Sequence, residues 1–239
     1  MNSDSTSLLL TDLACAQVHG HLERDQRLIV PIGACDQYGP HLPLGAATLI
    51  AESFASQLSR DFGVIRAPSM AYGVNVPSET PRTGNASLRA KTLHAVLNDL
   101  LAGWEDHGFR EFILLTVHDY DAHVEAIATV TGTNSRVRVI EVLNMDLSSL
   151  LTGVAGPAHG GEAATSLMLH LYPERVHMEH AVDYIPDDRA VSTLRRLPRI
   201  PPDSPGNLGE PTLASAEKGR RLYEYIYEKI RTRVFVDGG

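Results

Sequence analysis

Residues 28–48, LIVPIGACDQYGPHLPLGAAT, decide the fold of this chain. The apolar run Leu28 to Ile32 stops at a glycine, a polar loop with two prolines and three glycines follows, and an amphipathic pattern begins near Thr48. This order predicts a buried strand, a long shaped loop and a helix. Open α/β sheets place functional side chains on loops at the carboxyl ends of buried strands. We therefore expect one wall of an active site here, formed by Asp36, Tyr38 and His41.

The rest of the chain repeats this alternation of strand and helix. Besides the run near 28–32, apolar runs near 64–67, 112–117 and 137–142 predict three more strands, and helical patterns lie between and after them. Such alternation is typical of a parallel sheet. We predict a single α/β domain over residues 1–239, with a mainly parallel sheet and helices on both faces.

Several connecting segments also carry local signals. Ser87 is a candidate N-cap for a helix whose apolar stripe runs to Trp104. A short helix is expected over 144–151, whereas 178–207 has no clear period and indicates a partly ordered excursion. The segment 68–89 is unusually long for a structureless connection, so we expect it to line the pocket or a subunit contact.

Composition excludes several classes of function. With 29 acidic and 21 basic residues, the net charge is −8, so the chain lacks the basic footprint of a nucleic-acid-binding protein. No apolar run approaches the ~20 residues that cross a bilayer, so no membrane partner is expected. The N-terminus has no basic residues before its short apolar run, which argues against a signal peptide and predicts a cytoplasmic location. The expected partner is a small-molecule substrate.

A second wall of the site follows the strand near 112–117. His118 stands at its carboxyl end and is followed by Asp119, Tyr120 and Asp121. A histidine in this position can bind a metal, act as a general base or simply bond to a backbone group.

A third wall, His159-Gly160-Gly161-Glu162, precedes the helical pattern at 163–171. The two glycines let the backbone approach a ligand, or they only permit a tight turn. Glu162 belongs to the site, or it interacts with the start of the helix.

Four motifs together resemble the creatininase (creatinine amidohydrolase) family. They comprise Gly33 to Thr48, the stretch around His118, His159 to Leu169, and Gly209 to Gly219, in family order along almost the whole chain. The resemblance implies a creatininase-like three-layer fold and a homo-oligomer, which in this family is typically a hexamer.

The same resemblance shows that most family metal ligands are replaced. It places the family's metal-binding Glu at Asp36, a metal-binding His at Tyr38, the metal-bridging Asp at Ala47 and a ligand carboxylate at Tyr120, and only the histidine at His118 is kept. Ala47 has no donor atom, and neutral phenols are poor ligands near pH 7. We therefore expect no dinuclear centre and no cofactor. The alternative is one divalent ion, Zn or Mn, held by Asp36 and His118.

If the chain is an enzyme, the resemblance implies chemistry on a C–N bond of a small amide, lactam or guanidino-type compound, by hydrolysis or cyclisation. The altered site favours a specialised biosynthetic role. The predicted catalytic residues are Asp36, His118, His159, Tyr38, Tyr120 and Glu162, and the predicted substrate-binding residues are His41, Asp119, Asp121, Gly160 and Gly161. Without a metal, we expect His118 to titrate near pH 6.5 as a general base, oriented by Asp36 or Asp119. Tyr38 or Tyr120 would then donate to the substrate.

Two other hypotheses stay open. The first is a catalytically inactive homologue that serves as a binding or assembly partner, and the second is a mononuclear metal amidohydrolase. Metal analysis separates the mononuclear enzyme from the metal-free one, and a ligand screen separates either from the inactive homologue.

Overall fold

The computed structural model describes residues 7–78, 80–118, 120–153, 158–186 and 200–236. Its strands are β1 (Arg27–Ile32), β2 (Ile65–Arg66), β3 (Glu111–Thr116) and β4 (Arg136–Glu141). Its α-helices are α1 (Cys15–Leu22), α2 (Ala46–Phe62), α3 (Ala90–Asp106), α4 (Asp121–Ala128), α5 (Glu162–Leu171) and α6 (Ala216–Ile230), and a π-helical turn, Arg231–Val236, follows α6.

The four strands form one parallel sheet in the order β2-β1-β3-β4. β1 and β3 are central, and five of the six residues in each are buried, which explains their continuous apolar sequences. The parallel register aligns Ile32 with Thr116, so the loops that follow β1 and β3 leave the sheet at the same edge. The predicted parallel sheet is confirmed.

Helices cover both faces of the sheet. One hydrophobic cluster joins the sheet to α2, α5 and α6, with Phe54, Leu167 and Leu222 among its buried side chains. The other joins the opposite face to α3 and α4, through residues such as Leu97 and Ile127. The structure is therefore a three-layer α/β fold. Among the described residues, no helix combines the length and hydropathy needed to cross a lipid bilayer.

Several local predictions were wrong. Ser87 does not cap α3, which begins at Ala90, because the Ser87 hydroxyl instead accepts the Asn75 N–H and donates to the Leu88 carbonyl. The helix expected over 144–151 is a 3-10 turn, Val142–Asn144, followed by further turns. In the C-terminal region, α6 follows a separate 3-10 turn at Pro211–Leu213.

The two connecting segments singled out in the sequence, 178–207 and 68–89, are described to different extents. Of the 178–207 excursion, residues 187–199 lie outside the described part of the chain, and Tyr184 forms an antiparallel bridge with Gly209. The 68–89 segment returns to the loop after β1, where Met70 bridges Ile32 and Ala86 bridges Cys35. This segment therefore lies beside the predicted site.

Candidate active site

Asp36 lies in the loop after β1 and is 1% exposed. Its Oδ1 accepts hydrogen bonds from the Gln37 N–H at 2.8 Å and the Asn85 amide at 2.7 Å, and its Oδ2 accepts one from the Val76 N–H at 3.3 Å. Burial raises the pKa of this carboxyl, while nearby His159 and the hydrogen bonds act against the rise. Asp36 is thus a buried carboxylate held by neutral donors.

His118 follows β3 and is fully buried. Its Nε2 lies 2.9 Å from the Val74 carbonyl, which can only accept, so Nε2 carries the proton and Nδ1 accepts from the Tyr38 hydroxyl at 2.8 Å. Burial, together with His123 and His159, holds the pKa of His118 well below its usual value. The expectation that His118 titrates near pH 6.5 is therefore wrong.

Asp36 was also wrongly expected to orient the His118 ring. Asp36 Oδ2 is 3.9 Å from His118 Nε2, which is beyond hydrogen-bonding distance. The Val74 carbonyl and the Tyr38 hydroxyl orient the ring instead. The expectation that Tyr38 donates to the substrate is corrected in the same way, because its hydroxyl donates to His118.

His159 stands just before α5 and is 5% exposed. Its Nε2–H donates to the Gln37 carbonyl at 2.6 Å, and its Nδ1 is buried without a hydrogen-bond partner. The ring packs on Tyr38, with 4.3 Å between ring centroids. His159 is therefore the site histidine with an uncommitted ring nitrogen.

The glycines after His159 make close backbone contacts within the protein. Gly160 has φ +63°, and a Cβ there would lie 2.4 Å from the Tyr38 carbonyl oxygen. A Cβ on Gly161 would lie 2.8 Å from the Leu208 carbonyl oxygen. Both positions exclude a larger side chain for packing reasons. Their predicted role in binding substrate thus gains no support from these contacts.

Three of the predicted site residues lie close together, namely Asp36, His118 and His159. Each offers one potential ligand atom, and these atoms lie within 4.8 Å of one another. One carboxylate oxygen and two imidazole nitrogens are donors that suit zinc or manganese. The low pKa of His118 keeps its ring neutral, as a ligand must be. Its Nε2 becomes a donor for a metal when the ring proton moves to Nδ1, which then donates to the Tyr38 oxygen. His159 has an unpartnered Nδ1. These residues fit a single divalent ion.

They do not fit two ions. Ala47 is fully buried in the apolar face of α2 and offers no donor atom. Tyr38 is hydrogen-bonded to His118, and Tyr120 stands at the N-terminus of α4, where it packs against the hydrophobic cluster of α3 and α4. The three positions at which the resemblance places ligands of a second metal thus serve packing and hydrogen bonding.

The other predicted site residues lie in different surroundings. Tyr120 is partly buried, and this burial, with Asp121 and Glu125 nearby, raises its pKa. Asp121 is the exposed first residue of α4, and Asp119 lies outside the described residues. Among the described residues, no hydrogen bond, ion pair or ring contact links Tyr120 or Asp121 to His118.

Glu162 is buried in a separate polar cluster. Its carboxylate accepts hydrogen bonds from the Lys218 ammonium, the Thr152 N–H and hydroxyl, and the Gly153 N–H at 2.8 Å. Burial alone would raise its pKa, but these partners, Lys218 foremost, lower it. This set of contacts ties α5 to α6 and leaves Glu162 as an ion-paired carboxylate.

His41 supports the His159 loop from behind. Its Nε2–H donates to the Thr165 hydroxyl at 2.8 Å, and that hydroxyl donates to the Gly160 carbonyl at 3.3 Å. Burial lowers the pKa of His41 to about 4. The residue predicted to bind substrate thus lies behind the turn that carries His159.

Sequence reasoning missed His123, Asn75 and Asn85. His123 Nδ1 accepts the Val74 N–H at 3.1 Å, and its Nε2–H donates to Thr116 at 3.0 Å, so it fixes the residue whose carbonyl orients His118. Burial lowers the pKa of His123 to about 4. Asn85 bonds to Asp36, and the Asn75 amide donates to the Cys35 carbonyl at 2.7 Å. The only advance signal was the unusual length of the 68–89 segment.

The chain is similar in sequence to known proteins. A family model for creatininase, described as creatinine amidohydrolase, matches residues 11–234. A mycofactocin precursor peptide peptidase from Mycobacterium ulcerans (strain Agy99) is 28% identical over 222 residues, covering 87% of this chain and 84% of that protein. A creatinine amidohydrolase from Pseudomonas putida is 24% identical over 228 residues, covering 85% and 86%.

Solved structures agree on the fold. A mutant creatininase of the Zn-Zn type superposes with a TM-score of 0.77 at 23% identity, covering 96% of this chain and 99% of the other. A creatininase described with Mn gives a TM-score of 0.76 at 22% identity, covering 95% and 98%. At these identities the likeness shows the three-layer fold, and the chemistry has to be argued from the residues of this chain.

Proposed function

The chain belongs to the creatininase family, and on this premise we propose that it hydrolyses a C–N bond of a small amide at the Asp36–His118–His159 site. The observation that carries the proposal is the convergence of three buried ligand-type atoms within 4.8 Å at the shared edge of β1 and β3. A buried carboxylate with a raised pKa beside a buried histidine with a lowered pKa is a combination typical of functional sites. Hydrolysis, rather than cyclisation, is the reaction shared by the named relatives.

The uncommitted nitrogen of His159 gives this residue the proton-transfer role. Hydrolysis adds water to the carbonyl carbon, breaks the C–N bond and transfers a proton to the leaving nitrogen. His159 Nδ1 accepts the proton of the water and returns it to the leaving nitrogen, while Nε2–H stays bonded to the Gln37 carbonyl. That bond and the ring contact with Tyr38 keep the imidazole in place.

Asp36 and His118 would hold one zinc or manganese ion, and His159 would stay beside it with Nδ1 left for proton transfer. When bound, such an ion supplies Lewis-acid polarisation of the amide carbonyl or of the attacking water. The remaining task of the chain is to hold these ligands still, and Tyr38 and Asn85 do so through hydrogen bonds to His118 and Asp36.

The test combines metal analysis with an activity screen. Purified protein is analysed for metal content and assayed against small linear amides, lactams and guanidino compounds before and after chelation. We expect one divalent ion per chain and amide hydrolysis that chelation removes. His159→Ala should lower turnover by ~10²- to 10⁴-fold, whereas the exposed His19→Ala should not. Two tightly held ions per chain, or unchanged turnover in His159→Ala, would overturn the assignment.

A second candidate is an inactive homologue that acts as a binding or assembly partner. The observation that favours it is that the polar atoms of the site already have hydrogen-bond partners within the protein. Both His118 nitrogens and both Asp36 oxygens bond to protein groups. Protein that binds no divalent ion and hydrolyses nothing in the screen would support it. We also propose a homo-oligomer for either candidate, and light scattering at micromolar concentration that gives a monomer mass would refute that.

A further inference from the structure

Buried polar atoms without partners are concentrated around one loop. Among the described residues, eight buried side-chain polar atoms have no hydrogen-bond partner, and five belong to residues that surround the loop at 33–45. These five are His41 Nδ1, Asn75 Oδ1, Asn85 Oδ1, His159 Nδ1 and Asn207 Oδ1. Leaving a buried polar group unpaired is costly, so a cluster of such groups calls for an explanation, and a bound ligand supplies one.

The orientation of the Asn75 and Asn85 amides follows from their partners. Asn75 Nδ2 bonds to the Cys35 carbonyl and Asn85 Nδ2 bonds to the Asp36 carboxylate, and both of these partners accept. The unpartnered atom of each amide is therefore its oxygen, an acceptor. Because that oxygen shares a carbon with the bonded nitrogen, the Asn75 acceptor lies near the Cys35 carbonyl and the Asn85 acceptor lies near the Asp36 carboxylate. Asn75 is 6% exposed, so its oxygen is withdrawn from bulk solvent.

His159 adds a third acceptor. In the tautomer whose Nε2–H donates to the Gln37 carbonyl, Nδ1 is an acceptor, and it has no partner. The site thus offers three free acceptors from Asn75, Asn85 and His159, and each sits beside Asp36 or on a residue that meets it. A ligand that fits them has to bring hydrogen-bond donors.

We propose that Asn75 and Asn85 are specificity-determining residues that bind the N–H groups of a primary amide or ureido substrate. The inference rests on the proposed hydrolase function and narrows its substrate class. An –NH₂ group supplies two donors, one for each asparagine oxygen, whereas a lactam nitrogen supplies one. In the reaction R–CO–NH₂ + H₂O → R–COO⁻ + NH₄⁺, the C–N bond breaks and the product carboxylate has no donors. The same acceptors therefore hold the substrate and disfavour its product.

Matched ligands test this without relying on turnover. Butyramide and butyrate have nearly the same shape, but only the amide carries N–H donors. Binding is measured by ligand-observed NMR on the metal-loaded protein and again in excess chelator. We expect the chelated wild-type protein to bind the amide ~10- to 100-fold more tightly than the carboxylate, because the carboxylate leaves two acceptors unpaired.

Two variants then test which residues produce the preference for the amide over the carboxylate. Asn75→Leu and Asn85→Leu each remove one acceptor and should each reduce the amide preference by ~5- to 10-fold. Asn98→Leu is the matched control, since Asn98 already bonds to the His94 carbonyl and the Thr131 N–H away from the site. Circular dichroism checks that each variant is folded. If a variant is not folded, the relative affinity of the chelated wild-type protein for butyramide and butyrate decides whether the inference holds.

The outcomes separate this inference from the proposed function. Equal or tighter binding of butyrate to the chelated protein, no saturable binding of butyramide, or an unchanged preference in both folded asparagine variants would overturn it. Butyramide binding that appears only with metal would show that the ion, and not the asparagines, recognises the amide. If the protein prefers the amide but hydrolyses nothing in the substrate screen, the proposed hydrolase function is refuted and the recognition site remains. If it hydrolyses amides but shows no preference for butyramide over butyrate, the recognition site is refuted and the hydrolase function remains.

Discussion

Asp36 and Glu162 are two carboxylates buried to nearly the same degree, at 1% and 2% exposure, yet their environments differ in kind. Glu162 is paired with the Lys218 ammonium and saturated by Thr152 and Gly153, and its pKa is lowered. Asp36 has only neutral hydrogen-bond donors, and burial raises its pKa. A buried carboxylate with its own cation is part of the framework, whereas one without a cation can take up a proton, an ion or a substrate.

The largest expected effect concerns activity at Asp36. Asp36→Asn keeps the side-chain shape and removes the charge, so we expect hydrolysis and metal binding to fall by ~10²-fold or more. The free energy of unfolding, measured in urea, should change by no more than about 1 kcal/mol, because a buried charge without a cation is lost. A stability loss of several kcal/mol would mean that Asp36 is a framework residue after all.

The opposite result is expected at Glu162. Lys218→Met leaves a buried carboxylate unpaired, and we expect it to lower the free energy of unfolding by about 3 kcal/mol, since breaking a buried pair typically costs ~3–5 kcal/mol and the Lys218 side chain is 15% exposed. Arg220→Met, which breaks exposed pairs with Glu217 and Glu224, should cost less than about 1 kcal/mol. Equal costs in the two variants would erase the distinction between the two carboxylates.

A smaller effect is expected where Tyr38 holds His118. Tyr38→Phe removes the hydroxyl that bonds to His118 Nδ1. Metal affinity, measured by competition with a chelating dye, should fall ~10- to 100-fold, as is typical when the partner of a ligand histidine is removed. Tyr184→Phe, whose hydroxyl bonds to Asp203, serves as the control. Unchanged affinity would show that His118 is not a ligand or needs no such support.

The last effect depends on pH and separates His41 from both carboxylates. The pKa of His41 is about 4 in the folded chain against an ordinary 6.5, so the unfolded chain binds more protons between these values. Stability contributed by neutral His41 is complete above pH 6.5 and is lost as the pH falls toward 4, by at most about 1.4 kcal/mol per pH unit.

We therefore expect His41→Asn to flatten the pH dependence of unfolding between pH 6.5 and 4, whereas the exposed His19→Asn should leave it unchanged. Urea titrations at several pH values measure both slopes. Parallel slopes for wild type and His41→Asn would contradict the burial argument.

The comparison of the two carboxylates also shows what sequence could predict. The strands at Arg27–Ile32 and Glu111–Thr116 were accessible because a continuous apolar run is a local signal, and their parallel pairing placed Asp36 and His118 at one edge. The opposite character of Asp36 and Glu162 was not accessible. Lys218 lies 56 positions from Glu162, and Asn85 lies 49 positions from Asp36. Only the tertiary fold decides which carboxylate receives the cation.

The titration of His118 was mispredicted for a related reason. Its position after a strand was correct, but its pKa depends on full burial and on His123 and His159, which the fold brings beside it. His123 itself was overlooked because a histidine inside an amphipathic helix resembles an ordinary core residue. Its bond to the backbone of Val74 spans 49 positions, so no local pattern indicates it.

Ala47 has a consequence for the evolutionary history of this chain. It is fully enclosed among Ala46, Ile50 and Ala51 of α2, at the position where the resemblance places the metal-bridging Asp of the family. Ala47→Asp alone would bury a charge that has no ion to offset it, because Tyr38 no longer supplies a ligand. A two-ion site would therefore require several ligands to be introduced together before any one of them conferred an advantage. The proposed one-ion site, in contrast, can be altered by single substitutions, so Ala47 makes gradual change toward a two-ion centre unfavourable.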